Sequence, residues 1–228
     1  MKKRVIGAVT IGQSPRVDLV PELISILGPD IEIRERGALD GLTKDEIAAL
    51  APQLGDSVLV TRLPDGSSAR IAERHITPRL SETIHALFRE GIDIVALLCT
   101  GEFPELEGEG LLIRPQVILY NVAQAVSSGL KLGVICPDAG QITEAEARWR
   151  NVGREQVVVV ASPYGDPEEV EAGLEKAART LKAQGVELAV LDCIGYTLAM
   201  QELVRKEAGV PVILARGILA RVLKELIG

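Results

Sequence analysis

An α/β architecture is predicted for this sequence: two similar lobes, each a mainly parallel sheet flanked by helices, with a cleft between them. Three observations predict it. Short runs rich in Val, Ile and Leu alternate with amphipathic segments through nearly all of the 228 residues, as expected of parallel strands covered on both faces by crossover helices. Residues 91–101 align without gaps on residues 185–195, 94 positions on, sharing apolar and acidic positions and a Cys-x-Gly ending. A fainter match sets residues 7–10 on residues 133–136. Each half thus opens with a glycine-bearing strand and later holds a strand that ends in cysteine.

The elements follow in order. A first strand is read at 5–11; its apolar run is too short and too broken by Gly7 and Gly12 for a secretion signal, despite the basic start. A helix over 17–27 follows, with Ser14 as N-cap and Pro15 in its first position. A strand at 31–36 and a helix at 43–50 come next. Two strand-like runs within 57–72 flank Pro64-Asp65-Gly66, a turn sequence, and read as a hairpin added to the first lobe. A helix at 77–90 leads to strands at 92–99 and 116–119. The second half repeats the alternation: strands at 132–136, 156–161 and 186–193, with helices at 142–151, 167–184 and 197–208. The first lobe is assigned to 1–115 and the second to 116–209. The last strand and helix, 210–228, are expected to pack back on the first lobe, since chain termini often lie close together.

Composition narrows the function. A hydrophobic fraction of 47% with 25% charged residues describes a globular chain with a sizeable core. A net charge of −7 and no Lys/Arg-rich run argue against nucleic acid. The longest apolar runs, such as Ile94 to Cys99, fall far short of the ~20 residues that span a bilayer, so no membrane partner is expected. Three cysteines, an odd and sparse number, point to reduced thiols and a cytoplasmic location. His75 and His85 lack a ligand cluster, so no metal is expected. The phosphate-loop, dinucleotide and nucleophile-elbow motifs are absent.

The thiols carry the candidate chemistry. Ligands of open parallel sheets bind beyond the carboxyl ends of the strands, where Cys99, Cys136 and Cys193 all fall. Two bases flanking one carbon suit a stereoinverting proton transfer, so Cys99 and Cys193 are the candidate catalytic pair. Helix N-termini after each Cys-x-Gly turn would lower a thiol pKa and hold a carboxylate. For either cysteine alone, packing is the favoured reading; for the symmetric pair, catalysis is. Cys136 has no such partner and reads as lining the cleft or packing. The turn holding Thr10, Gln13, Ser14 and Arg16 offers a hydroxyl, an amide, a guanidinium and orphan N–H groups to an anion. Thr100, Gly101 and Gly195 belong to the cysteine turns. All three tyrosines follow strands in this reading, in Tyr120-Asn121, Tyr164-Gly165 and Tyr196-Thr197, and join the candidate lining. Asp192 reads as structural. Glu102, Glu105, Glu107 and Glu109 form an acidic loop, solvated or acting as a mobile flap.

The stretch TIGQSPR at 10–16, followed by Asp18, together with LDCIGYT at 191–197, resembles the AroM family from end to end. That family is similar in turn to the aspartate/glutamate/hydantoin racemase superfamily, whose two α/β lobes each place a cysteine at a central cleft. The resemblance implies a cofactor-independent racemase or epimerase, with relatives that isomerise maleate or decarboxylate arylmalonates through a cysteine. By position Cys99 matches the first-lobe cysteine, Cys193 the second, and Thr100 a polar carboxylate-binding position. Racemases usually show Cys-Asn-Thr and Cys-Thr at these places; here they read Cys99-Thr100-Gly101 and Cys193-Ile194-Gly195. Ile194 removes a hydroxyl where a carboxylate would be held, which argues against aspartate or glutamate as substrate.

The expected function is therefore a racemase or epimerase, free of metal and pyridoxal cofactor, acting on a small carboxylate or cyclic amino-acid derivative. A homo-oligomer is expected by default. The alternatives are a small-molecule binding or sensing protein that keeps the cleft without proton transfer, and a single-cysteine lyase or decarboxylase.

Overall fold

The structure is a computed structural model and describes residues 4–103 and 106–228. The chain separates into two compact units, Met1–Pro115 with Ala220–Gly228, and Gln116–Leu219.

The first unit holds β1 (Arg4–Thr10), α1 (Val20–Leu27), β2 (Ile31–Gly37), α2 (Lys44–Ala48), β3 (Val58–Arg62), β4 (Ser68–Ala72), α3 (Glu73–Arg89), β5 (Ile94–Leu98) and β6 (Leu111–Ile113). Its main sheet has the order β2-β1-β5-β6, parallel throughout. Register sets Thr10 beside both Gly37 and Leu98, so three strands end level. Strands β3 and β4 form the expected antiparallel hairpin. Gly66 makes its turn at φ 91°, a conformation that favours glycine. Helix α3 buries Ile76, Leu80, Ile84 and Leu87 completely, a stripe at helical spacing whose side chains each contribute about 1.5–3 kcal/mol by leaving water.

The second unit holds most of α4 (Pro115–Val126), then β7 (Lys131–Cys136), α5 (Ile142–Trp149), β8 (Glu155–Val160), α6 (Pro167–Ala183), β9 (Leu188–Leu191), α7 (Leu198–Ala208), β10 (Val212–Leu214) and the start of α8 (Ala215–Ile227). Its sheet order is β10-β9-β7-β8, again parallel. No helix of the described residues is long and apolar enough to cross a membrane.

Four expectations need correction. Residues 116–119 are helical rather than a strand; the strand of that region is β6, just before Pro115. A short apolar run does not by itself separate buried strand from buried helix. Burial decides: Pro115, Leu119, Ala123 and Ser127 are buried at four-residue spacing. The strand expected to return to the first lobe, Val212–Leu214, instead pairs with β9 in the second sheet, and only Ala220–Gly228 group with the first unit. Helix α3 starts at Glu73, four residues ahead of the expected start. Pro78 sits inside it, beyond the first turn, where it removes one backbone bond. Helix α1 starts at Val20, with Pro21 in its first turn, so Ser14 and Pro15 precede the helix rather than cap it; the Ser14–Pro15 peptide is cis.

Candidate functional site

Each unit carries a Cys-x-Gly turn at the carboxyl end of a central strand. In the first unit the turn follows β5: the Gly101 N–H donates to Cys99 Sγ at 3.3 Å. In the second it follows β9: the Gly195 N–H donates to Cys193 Sγ at 3.4 Å. The turn thus folds the same way twice. Neither cysteine is in a disulfide, and both are buried, 8% and 6% exposed. An N–H aimed at sulfur favours negative charge there.

The chain enters both turns by the same route. Gly91 and Gly185 end α3 and α6 at φ 80° and 68°. The next residue, Ile92 or Val186, donates back to Leu87 or Leu181 at 3.3 or 3.1 Å, a helix stop that requires a left-handed residue.

In the first unit the loop after β1 is tied down rather than open. The Arg16 guanidinium, 3% exposed, donates to both Asp18 carboxylate oxygens at 2.8 and 2.7 Å and to Thr10 Oγ1 at 3.0 Å. Its backbone N–H donates to Glu35 at 2.6 Å. The N–H and hydroxyl of Ser14 donate to Asp40 at 2.7 and 2.6 Å; the Gln13 amide donates to the Leu42 carbonyl at 3.0 Å. The Gly12 N–H donates to Thr10 Oγ1 at 3.2 Å. The expected orphan N–H groups of Gly12, Ser14 and Arg16 are therefore occupied. Asp40 and Glu35, on or just after β2, are partners that the sequence did not single out.

The hairpin covers these turns. A Cβ on Gly12 would lie 2.2 Å from Thr61 Oγ1, and one on Gly101 would lie 2.9 Å from Leu59 and 3.0 Å from Phe103. Thr100 is buried beside them. Among the described residues no helix lies between the first cysteine turn and β6, contrary to expectation: residues 106–110 lead directly to β6. Glu102, Glu107 and Glu109 are exposed, while Phe103 and Leu106 anchor the loop in the core. Glu105 lies outside the described residues.

In the second unit α7 does follow the turn. Thr197 is its N-cap, accepting from the Met200 N–H at 3.1 Å, and that role occupies the hydroxyl expected to line the site. Tyr164 closes over the turn: its hydroxyl is 3.9 Å from Cys193 Sγ, and a Cβ on Gly195 would fall 2.3 Å from that oxygen. Tyr196 is fully buried and donates to the Ala161 carbonyl at 2.6 Å; burial, then the charge of Cys193, pushes its phenol well above the usual value. Cys136 is 2% exposed and sits 3.5 Å from the Val159 carbonyl. Burial, then the charge of Asp192, pushes its thiol up to about 12, so it remains protonated at neutral pH. Asp192 accepts from Trp149 Nε1 at 2.8 Å and Arg148 at 3.1 Å, tying α5 to the sheet. Tyr120 and Asn121 lie within α4, not after a strand. Tyr120 packs on Trp149 with ring centroids 5.9 Å apart, and Asn121 is exposed, its amide donating to the Val117 carbonyl.

Arg216 was missed altogether. It is 1% exposed at the start of α8 and donates to the carbonyls of Ile194 and Gly195, both at 3.1 Å. Its signal in the sequence is a lone arginine within the apolar run that follows the last strand. Among the described residues no group of three or more His, Cys, Asp or Glu side chains could hold a metal ion.

The fold is that of the Asp/Glu racemase-like proteins. Allantoin racemase from Klebsiella pneumoniae superposes with a TM-score of 0.63 at 15% identity, over 99% of this chain and 88% of that one. Glutamate racemase from Francisella tularensis in complex with D-glutamate gives 0.59 at 15% identity, over 100% and 82%. Maleate isomerase from Pseudomonas putida gives 0.59 at 14%, over 98% and 93%. No protein of curated function matches in sequence. The model of the family described as AroM protein matches residues 6–227, and the chain belongs to that family.

Proposed function

We propose that the protein is a racemase or epimerase that needs no cofactor and moves a proton between the two faces of one carbon of a small carboxylate, with Cys99 and Cys193 as acid and base. The observation that carries this reading is the doubled turn, in which each unit directs a backbone N–H at a cysteine sulfur from the corresponding place in its own sheet. Starting with Cys99 as thiolate, the sulfur takes the α-proton and the bond electrons pass into the carboxylate as an enolate. The Cys193 thiol then protonates the opposite face, leaving Cys99 as thiol and Cys193 as thiolate, so the reverse reaction starts from the product state. The substrate anion is assigned to Thr100, with Gln13, Ser14 and Arg16 keeping the 11–14 loop in shape.

The racemases and the isomerase that share the fold support the reaction class, and Ile194 favours a substrate other than aspartate or glutamate. The test is proton NMR in D₂O on a panel of α-chiral acids, amino acids, hydantoins and aromatic carboxylates. Loss of a Cα–H signal is expected for one class, falling about 10²- to 10⁴-fold in C99S and in C193S, the range of a general acid–base group. Full turnover in both variants overturns the reading. A second reading, single-cysteine lyase or decarboxylase chemistry at Cys193, draws on the phenol and guanidinium found around that turn; it predicts that C99S stays active. Ligand binding without exchange, unchanged when both cysteines are alanine, would identify a binding protein.

A further inference from the structure

We infer that Arg216 is a positioning residue for the Cys193 thiolate, acting through the peptide bond between Ile194 and Gly195. The Ile194 carbonyl and the Gly195 N–H belong to one peptide unit. The Arg216 Nε–H donates to that carbonyl at 3.1 Å, and the same unit donates its N–H to Cys193 Sγ at 3.4 Å. A cation at the oxygen end polarises the amide and makes its N–H a stronger donor, because hydrogen bonds in a chain reinforce one another. The second guanidinium bond, to the Gly195 carbonyl at 3.1 Å, holds the next peptide and fixes the angle of the turn.

The two units place their buried arginines differently. The Thr100–Gly101 peptide donates to Cys99 in the same way, but the buried arginine of the first unit, Arg16, spends its charge on Asp18 and Thr10. Of the other ionisable groups, the Tyr164 phenol lies 3.9 Å from the second thiol, and Cys193, Cys136, Asp192 and Tyr164 all act on the buried Tyr196 phenol. Arg148 neutralises Asp192 from α5. Arg216 is the cation set on the turn itself.

The inference rests on the proton-transfer reading for its catalytic meaning, but its test needs no substrate, so the two can fail separately. The rate of iodoacetamide alkylation is followed against pH at Cys193 in a C99S background, with Cys99 in a C193S background as the internal standard. R216M is expected to shift the Cys193 profile to higher pH and slow alkylation at neutral pH about threefold to tenfold. R216K, which keeps the charge but cannot span both carbonyls, falls between, and the Cys99 profile does not move. Circular dichroism melting shows which variants are folded; should R216M not fold, R216K alone decides. A Cys193 profile in the folded variants that coincides with the unsubstituted one overturns the inference.

Discussion

The two units share a plan and differ in what covers it. Read from the edge that β8 forms, the second sheet runs β8-β7-β9-β10, matching β2-β1-β5-β6 strand for strand. Helices α3 and α6 both have 17 residues and start 94 positions apart. Gly7 and Gly133 occupy the same place in β1 and β7. A Cβ on Gly7 would crowd Leu87 at 2.9 Å and Val95 at 3.1 Å, with Ile92 at 3.6 Å. One on Gly133 would crowd Val186 at 2.8 Å and Leu181 at 2.9 Å, and these are the counterparts of Ile92 and Leu87. Over the turns the likeness stops. The first unit inserts α2 and a hairpin between β2 and α3, whereas six residues holding Tyr164 join β8 to α6 in the second. A shared frame with unlike covers is what a pair of chemically distinct cysteine turns requires.

The sharpest way to break this comparison is through the buried charge of the first unit. Arg16→Met removes the guanidinium from a carboxylate, Asp18, that is itself only 17% exposed. Stripping one partner from such a pair costs about 3 kcal/mol or more, a fall in Tm on the order of 6–12 °C for a chain this size. Replacing Asp18 by Leu in the same chain should recover much of the loss, because the cost lies in the stranded charge. A thermal melt of the single and double variants checks it; equal stability of Arg16→Met and the unsubstituted protein would show that Arg16 does not organise the loop.

The covers themselves can be exchanged for space. Gly12→Ala drives a methyl into Thr61 Oγ1, and Gly195→Ala drives one into the Tyr164 ring. Each is expected to cost about 1–3 kcal/mol by overpacking. Thr61→Ala should relieve the first and Tyr164→Ala the second, while neither relieves the other's partner. The coupling energies from denaturant melts of these cycles measure whether hairpin and tyrosine serve as alternative covers.

The frame was legible in the sequence because it is carried by local rules. A glycine that must leave a helix with positive φ, an apolar run of strand length and a cysteine after it recur at one spacing, and the structure reproduces that echo down to the sulfur contact. What the sequence concealed is set by long-range partners. Asp40 reaches Ser14 across 26 positions and Arg216 reaches Ile194 across 22; neither has a periodicity. The misread stretch at 116–119 fails for a related reason. Four apolar or amide residues suit either strand or helix, and only the buried faces of Leu119 and Ala123, one turn apart, decide. Tyr120 and Asn121 went with it.

The smallest effect compares the last residues of the two central strands. Thr10 and Cys136 are counterparts, but Thr10 is a polar acceptor for Arg16 and Gly12, whereas Cys136 lies against a carbonyl in a site that disfavours its anion. Burial holds its thiol at about 12 against an ordinary 9.0. A folded-state value above the unfolded one means that the folded protein keeps a proton the unfolded chain releases. Its share of stability is therefore whole below about pH 9 and is lost as pH rises toward 12. Urea melts across that alkaline range should show stability falling with pH, and Cys136→Ala should flatten part of the slope while leaving neutral-pH stability changed by only about 1 kcal/mol. Tyr196, also pushed up by burial, would supply the slope that remains. An unaltered alkaline slope in Cys136→Ala would mean that this thiol ionises as readily in the fold as out of it.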